Sequence, residues 1–279
     1  MRPWITSRLW SGGNEVAGRM LNMLQFASDL ARQTGQLLLG YYDHRGSQVS
    51  LKTDRTVVTE ADLAADQLIA AALQAAYPDD LLISEEKGTS LPAGASGPTW
   101  VVDPLDGTTN FSLGLPVWGV SIARIENGWP QLGALYFPLL DELYAAQLGL
   151  GATLNGEPIQ VKPPMPDQPT AFFACCGRTH RRYVVKVPYK PRILGSAAYS
   201  FCAVARGAAV LGFETTPKLW DLAAAWLLLQ EAGGAVEIYA GSPPFPLLAG
   251  QEFAQIPYPT LFAATPELLR RGREWILPR

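Results

Sequence analysis

The stretch "WVVDPLDGTTNF", residues 100–111, constrains this chain more than any other. An apolar run that reads as the end of a buried strand stops abruptly in two aspartates, a proline and a glycine. Asp-Pro and Asp-Gly are ordinary turn pairs, and an aspartate commonly caps the helix after a turn, so turn chemistry alone accounts for "DPLDG" in isolation. The residues that follow change the weighing. Gly107, Thr108, Thr109 and Asn110 are small and polar and leave backbone N–H groups accessible where a helix can begin. A strand that delivers two carboxylates to the mouth of an N–H-rich turn makes a site for cations and an anion together.

Composition narrows what such a site can serve. With 279 residues, 48% of them hydrophobic and 17% charged, the chain can bury a substantial core as one large domain or two moderate ones. A net charge of −3 offers no basic field for nucleic acid or an acidic membrane surface, so neither is expected as a partner. The three cysteines, Cys175, Cys176 and Cys202, lack CxxC spacing, and the adjacent pair is badly placed to bridge to itself, which fits a reducing compartment. The opening "MRPWITSRLWSGGNEVAGRM" has no continuous apolar region, and the longest apolar helix candidate, Leu222 to Leu229, is too short to span a bilayer. A soluble, cytoplasmic protein is therefore expected, in which the "NFS" sequon at 110–112 is a chance match. Two histidines, His44 and His180, and scattered cysteines argue against zinc and for an oxygen-bound metal.

Periodicity supplies the frame. Apolar residues at helical spacing from Val16 through Met20, Leu24, Ala27, Ala31 and Leu38 predict a long helix ending near Tyr42. A second helix runs from about Ala61 to Ala76, introduced by Thr59 and Asp62 at capping-box spacing. Then "LLIS", "TWVVD", "VWGVSIARI", "QLGALYF" and "ELYAAQ" read as strands, and Asn155-Gly156 signals a hairpin, giving a mostly antiparallel meander. After the proline-rich "VKPPMPDQP" the texture changes. "AFFAC", "RIL", "AVLGFE", "AVEIY" and "TLFAA" read as strands, alternating with helices over Ser196 to Arg206, Asp221 to Ala232 (stopped by Gly233-Gly234) and a last one from Thr265-Pro266. The expected division is an α+β half over residues 15–165 and an α/β half over 166–279, with residues 1–14 a disordered leader. "GLGATLNG" near 149 lacks the strand-to-helix context of a dinucleotide fingerprint and reads as turns.

Four stretches place acids at the edge of apolar elements: "VVTEAD" at 57–62, "SEEKG" at 84–88, "DPLDGTTNF" at 103–111 and "WDLAAAWLLLQEAGG" at 220–234. Each alone has a plain explanation. Asp62 can cap a helix, Glu85 and Glu86 can face solvent, and Asp221 can occupy a helix N-terminus. Together and in this order they resemble the inositol monophosphatase family, over nearly the whole chain from about residue 15. The resemblance implies a layered αβαβα sandwich and a Mg²⁺-dependent, lithium-sensitive phosphatase using two or three ions. It implies Glu85, Asp103, Asp106, Asp221 and the carbonyl of Leu105 as metal ligands. It also places Asp62 and Thr108, with Glu85 assisting, beside the attacking water as catalytic residues. Substrate contacts are implied for Asp106, Gly107, Thr108, Gly195, Ser196, Ala197, Glu214 and Asp221.

The chemistry explains why these residue types are needed. Carboxylates gathered in a cleft repel one another until cations neutralise them, and Mg²⁺ takes hard oxygen ligands. Two such ions roughly 3.5–4 Å apart can hold both the attacking and the leaving oxygen of an in-line displacement at phosphorus.

The chain departs from the family pattern at three points, of which the segment that borders the substrate pocket in the family bears on the substrate. Ser84 stands where glycine is usual, the segment between Cys176 and Gly195 is shorter than usual, and "GAAVLGFE" lacks an aspartate that many members carry before this strand. The expected substrate is a small polyol or sugar phosphate, inositol 1-phosphate first. Histidinol-phosphatase, fructose-bisphosphatase and 3'(2'),5'-bisphosphate nucleotidase are rivals on the same fold, and the small basic content near the site argues against several phosphates. A member working chiefly as a binding partner of another protein is the alternative of a different class. The resemblance further implies a homodimer.

Overall fold

A computed structural model of the chain describes residues 13–43, 49–51, 57–164 and 171–279. Helix α1 (Gly13–Asp43) is followed by the short paired strands β1 (Val49–Leu51) and β2 (Val57–Thr59) and by helix α2 (Glu60–Ala76). Next come β3 (Leu81–Ser84), β4 (Thr99–Asp106), the one-turn helix α3 (Thr108–Ser112), β5 (Gly119–Glu126), β6 (Trp129–Phe137), β7 (Glu142–Gln147), β8 (Gly151–Leu154) and β9 (Glu157–Ile159). Strands β3 to β9 form one seven-stranded sheet in sequence order, antiparallel throughout except that β3 and β4 run parallel.

The remainder consists of β10 (Phe172–Cys175), α4 (Thr179–Arg182), β11 (Tyr183–Val185), β12 (Lys190–Arg192), α5 (Ala197–Ala205), β13 (Ala209–Glu214), α6 (Leu219–Glu231), β14 (Ala235–Ile238), β15 (Thr260–Ala263), α7 (Pro266–Trp275) and β16 (Ile276–Pro278). Five of these strands make a second sheet in the order β12-β10-β13-β15-β14, and β11 pairs with β16.

Strand alternation stacks these elements into five layers. On β4, Trp100 and Val102 face α1 and α2, packing with Ala27, Leu30, Ala61, Ala65 and Ile69, while Val101 faces the other way, toward α5 and α6. On β10, Ala174 joins that same central core, and Phe173 and Cys175 point outward to Leu268 and Leu269 of α7. The order is thus α1/α2, seven-stranded sheet, α5/α6, five-stranded sheet, α7: the expected αβαβα sandwich. The middle helices are apolar all round because both faces meet a sheet. In α6, Leu222, Ala223, Ala224, Ala225, Leu227, Leu228 and Leu229 are all buried.

Local signals match the structure closely at several points. Thr59 caps α2 in a reciprocal box with Asp62. Asn155 and Gly156 both adopt positive φ (51° and 84°), the signature of a two-residue hairpin turn, here joining β8 to β9. Other points differ. The "RIL" strand lies earlier, at Lys190–Arg192, because parallel pairing with β10 sets its register, and as an edge strand it tolerates Pro191. The pair β11–β16 and the short α4 carry no periodicity to announce them. Most of the expected leader lies outside the described residues, but its last two residues, Gly13 and Asn14, already belong to α1, since backbone hydrogen bonding extends a helix beyond its amphipathic pattern.

The middle layer approaches the large sheet closely where β6 meets α6. A Cβ on Gly133 would lie 2.9 Å from both Cα and Cβ of Ala224, against helix backbone that has no side chain to swing away. Replacing Gly133 with Ala should therefore cost about 1–3 kcal/mol in folding free energy through overpacking. Urea denaturation measures it, and an unchanged midpoint would show that β6 and α6 are free to separate.

Candidate active site

The site is built where β4 runs out. Because β3 and β4 are parallel, with Ser84 opposite Val102, the turn after β3 lies beside the end of β4, and the Glu85 N–H donates to the Val102 carbonyl at 3.3 Å. Along β4 the register against β5 slips between Asp103, opposite Ser121, and Asp106, opposite Gly119. Pro104 has no N–H to offer the ladder, and the strand bulges there. The Asp103 carboxylate accepts the Leu105 N–H at 3.0 Å within this bulge. Gly107 follows at φ 91°, where a side chain would be strained and its Cβ would stand 3.0 Å from the Val117 carbonyl oxygen. α3 then starts at Thr108, and the buried Asn110 locks the turn by donating to the Val117 and Leu194 carbonyls at 2.6 and 2.8 Å.

Helix N-termini converge on this strand end. Asp62, third residue of α2, accepts the Thr59 N–H at 2.8 Å, and its other oxygen lies 3.2 Å from the Thr108 hydroxyl, which is also 3.0 Å from the Leu105 carbonyl. Asp221, third residue of α6, accepts the Lys218 N–H at 2.6 Å. Asp106 sits at the start of α5, where it accepts the Ser196 hydroxyl and the N–H groups of Ala197 and Ala198 at 3.2 and 3.1 Å. Each carboxylate thus rests on the positive end of a helix, which offsets part of the cost of placing it there.

Asp103, Asp106 and Asp221 form a compact group, one oxygen from each lying within 4.8 Å of the others. Burial and mutual repulsion raise all their pKa values. Asp103 is pushed well above the usual carboxylate range by burial and by the charges of Glu85, Asp221 and Asp106. Asp106 rises to about 6 through burial, restrained by its bonds from Ser196, Ala197 and Ala198. Asp221 reaches about 8 through burial and the charges of Asp106 and Glu85. Asp62 is raised too, by burial first, with the Thr59 hydrogen bonds opposing. Glu85 does not join the compact group, yet its charge is felt by all four aspartates. Several hard oxygen donors held together against their own repulsion suit a hard divalent cation, and no histidine or cysteine in the group suits a softer one.

The second half supplies the opposite wall. Glu214, last residue of β13, is buried and accepts the Ser200 hydroxyl at 2.8 Å, with burial and the neighbouring Cys176 raising its pKa well above the ordinary value. The Lys218 ammonium, on the link between Glu214 and Asp221, donates to the Ala254 carbonyl. Gly195, Ser196 and Ala197 meet the site from the start of α5, with Ser196 and Ala197 holding Asp106.

Three supporting contacts escaped the sequence reading. Asp66, one helical turn beyond Asp62, is buried and accepts the Ser84 hydroxyl, with Lys87 3.2 Å from its other oxygen. This ties α2 to the turn that carries Glu85, and the four-residue spacing from Asp62 was the available signal. Asn110 bridges two loops 84 residues apart in sequence, and Cys176 lies 3.0 Å from the Thr215 hydroxyl beside Glu214. No local pattern announces either.

Known proteins resemble this chain in sequence and in fold. The model of the inositol monophosphatase family matches residues 20–266. A histidinol-phosphatase of Chlorobaculum parvum is 37% identical over 78% of this chain and 86% of its own length, and the Nus factor SuhB of Pasteurella multocida is 34% identical over 84% and 91%. The crystal structure of the suppressor protein SuhB from Bartonella henselae superposes with a TM-score of 0.74 at 27% identity, covering 92% of this chain and 97% of that one.

The raised carboxylates give stability a definite pH dependence. Folded Asp106 and Asp221 hold their protons to about pH 6 and 8, while the unfolded chain releases them near 3.8, so the folded state binds more protons between those limits. The stabilising contribution is full below about pH 4 and is lost as pH rises toward 8. In chelator, the thermal midpoint should fall across that window, and saturating Mg²⁺ should restore more of it at the alkaline end. A midpoint that rose with pH in chelator, measured by differential scanning fluorimetry, would show that the carboxylates are not forced together.

Proposed function

The chain belongs to the inositol monophosphatase family and is a phosphoric monoester hydrolase, and we propose that it works with Mg²⁺ on a small polyol or sugar phosphate, inositol 1-phosphate being the first to test. The observation that carries this reading is the meeting of Asp103, Asp106 and Asp221 in one group, with the Thr108–Asp62 pair on the same strand end. Glu85, Asp103, Asp106, Asp221 and the Leu105 carbonyl would hold the metal. When bound, Mg²⁺ would neutralise the carboxylates, lower the pKa of a water and stabilise charge on the departing oxygen.

The chain's own residues do the rest. The Thr108 hydroxyl, held between Asp62 and the Leu105 carbonyl, orients the attacking water, and Asp62 takes its proton with Glu85 assisting. Asp62 suits that task because burial has already raised its affinity for a proton. Backbone N–H groups of Gly107 and Thr108 hold the phosphate oxygens at the start of α3, while Glu214, Gly195, Ser196 and Ala197 read the hydroxyls of the ester. Lithium sensitivity, a homodimer and a cytoplasmic location complete the proposal and rest on the family resemblance.

Histidinol-phosphatase is the second reading, favoured by the relative of that name. Phosphate release from inositol 1-phosphate and histidinol phosphate, measured against Mg²⁺ concentration, separates the two. Under either, chelator should abolish turnover, and Asp106→Asn, which keeps size and removes a ligand charge, should lower kcat by at least about 100-fold. Wild-type turnover in that variant would remove Asp106 from the metal site.

A further inference from the structure

The segment after Cys176 is strongly basic: Arg178, Arg181, Arg182, Lys186, Lys190 and Arg192 occur within residues 177–192, with no acid among them, in a chain of net charge −3. All six side chains are exposed, and among the described residues none makes an ion pair. Arg181 and Arg182 lie on α4, Lys190 and Arg192 on the edge strand β12, and Arg178 on the turn that follows β10.

The parallel strands β12, β10 and β13 end on one edge of their sheet, the edge where ligands bind in such sheets. Glu214 closes β13 there, and the turn after β10 is fastened onto the loop that follows Glu214. Cys176 Sγ lies 3.0 Å from Thr215 Oγ1, the Thr179 hydroxyl donates to the Phe213 carbonyl at 3.3 Å, and Arg178 Nη1 donates to the Thr216 hydroxyl at 2.8 Å. Thr216 lies on the short link between Glu214 and Asp221. Arg178 is therefore tethered over the segment joining two site residues, with the rest of its guanidinium free to bind.

We propose that Arg178 reads a second anionic group on the substrate, a carboxylate or a further phosphate, borne on the part of the ester remote from the scissile phosphate. A planar guanidinium held by one nitrogen presents its remaining N–H groups as a fork matched to such oxygens. Bonded to Thr216, two residues beyond Glu214, it gives an incoming polyanion a positive charge beside the acids of the site. The same charge disfavours a cationic alcohol such as that of histidinol phosphate. This inference rests on the phosphatase reading above. It reverses the expectation drawn from the low basic content around the acid motifs, because Arg178 arrives from 38 positions before the loop it caps.

Matched esters test it. Glycerol 2-phosphate and 2-phosphoglycerate differ only in a hydroxymethyl against a carboxylate, and fructose 1-phosphate and fructose 1,6-bisphosphate differ in a second phosphate. The wild-type enzyme with Mg²⁺ should have the higher kcat/KM on the more anionic member of at least one pair, which tells carboxylate from phosphate. Arg178→Gln should lower kcat/KM on that member roughly 10–100-fold, mainly through KM, and on its partner by less than about threefold, with Arg178→Lys intermediate. Equal losses on both members, or no wild-type preference in either pair, overturn the proposal. Turnover of none of the four esters, while inositol 1-phosphate is hydrolysed, overturns the proposal alone, and turnover of none of the five overturns the phosphatase reading with it. An unchanged thermal midpoint in the variants confirms that an exposed side chain was altered without unfolding.

Discussion

Everything in this molecule is arranged around repulsion. Three carboxylates share a space 4.8 Å across, and a fourth acid acts on them from nearby. Water would separate them, so the scaffold must hold them together, and it does so by giving each a different anchor: a strand bulge for Asp103, the start of α5 for Asp106, the start of α6 for Asp221. The anchors come from elements far apart in sequence. The site consequently forms only when both sheets and the helices between them are in place, and a cation bound there would draw its affinity from strain the fold has already absorbed.

The same logic explains the helix ends. An aspartate at the third position of a helix is common and modestly stabilising. Here two helices, α2 and α6, use that position to aim Asp62 and Asp221 at the end of one strand, so a routine capping interaction becomes a positioning device. The cost is visible in the proton affinities, which burial and crowding drive upward for every aspartate in the site.

How much of this was legible in the sequence divides along a physical line. Features decided within a few residues were readable: the Thr59–Asp62 box, the Asn155-Gly156 turn, and the apolar run that ends β4. The acids of the site were readable too, because their order along the chain is specific even though each has an innocent explanation alone. Contacts decided by tertiary approach were not. The parallel pairing that lays Glu85 beside β4, the bridge from Asn110 to Leu194, the buried Asp66 beneath Ser84, and Arg178 over Thr216 join positions with no shared period or spacing.

The middle layer of the sandwich bears on how such a chain can change over time. Helix α6 is enclosed by a sheet on each side, its Ala223–Ala225 run is fully buried, and Ala224 meets strand backbone at Gly133. A side chain that grew there would have to be answered by simultaneous shrinkage in two separate sheets, a coincidence that random substitution rarely supplies. Helix α7, buried along only Leu268, Leu269 and Gly272, faces no such demand. Sequence drift should accordingly be slowest in the interior helix, buried from Leu222 to Leu229, and fastest on the outer one, so that the record of ancestry is kept in a stretch of small residues as much as in the acids.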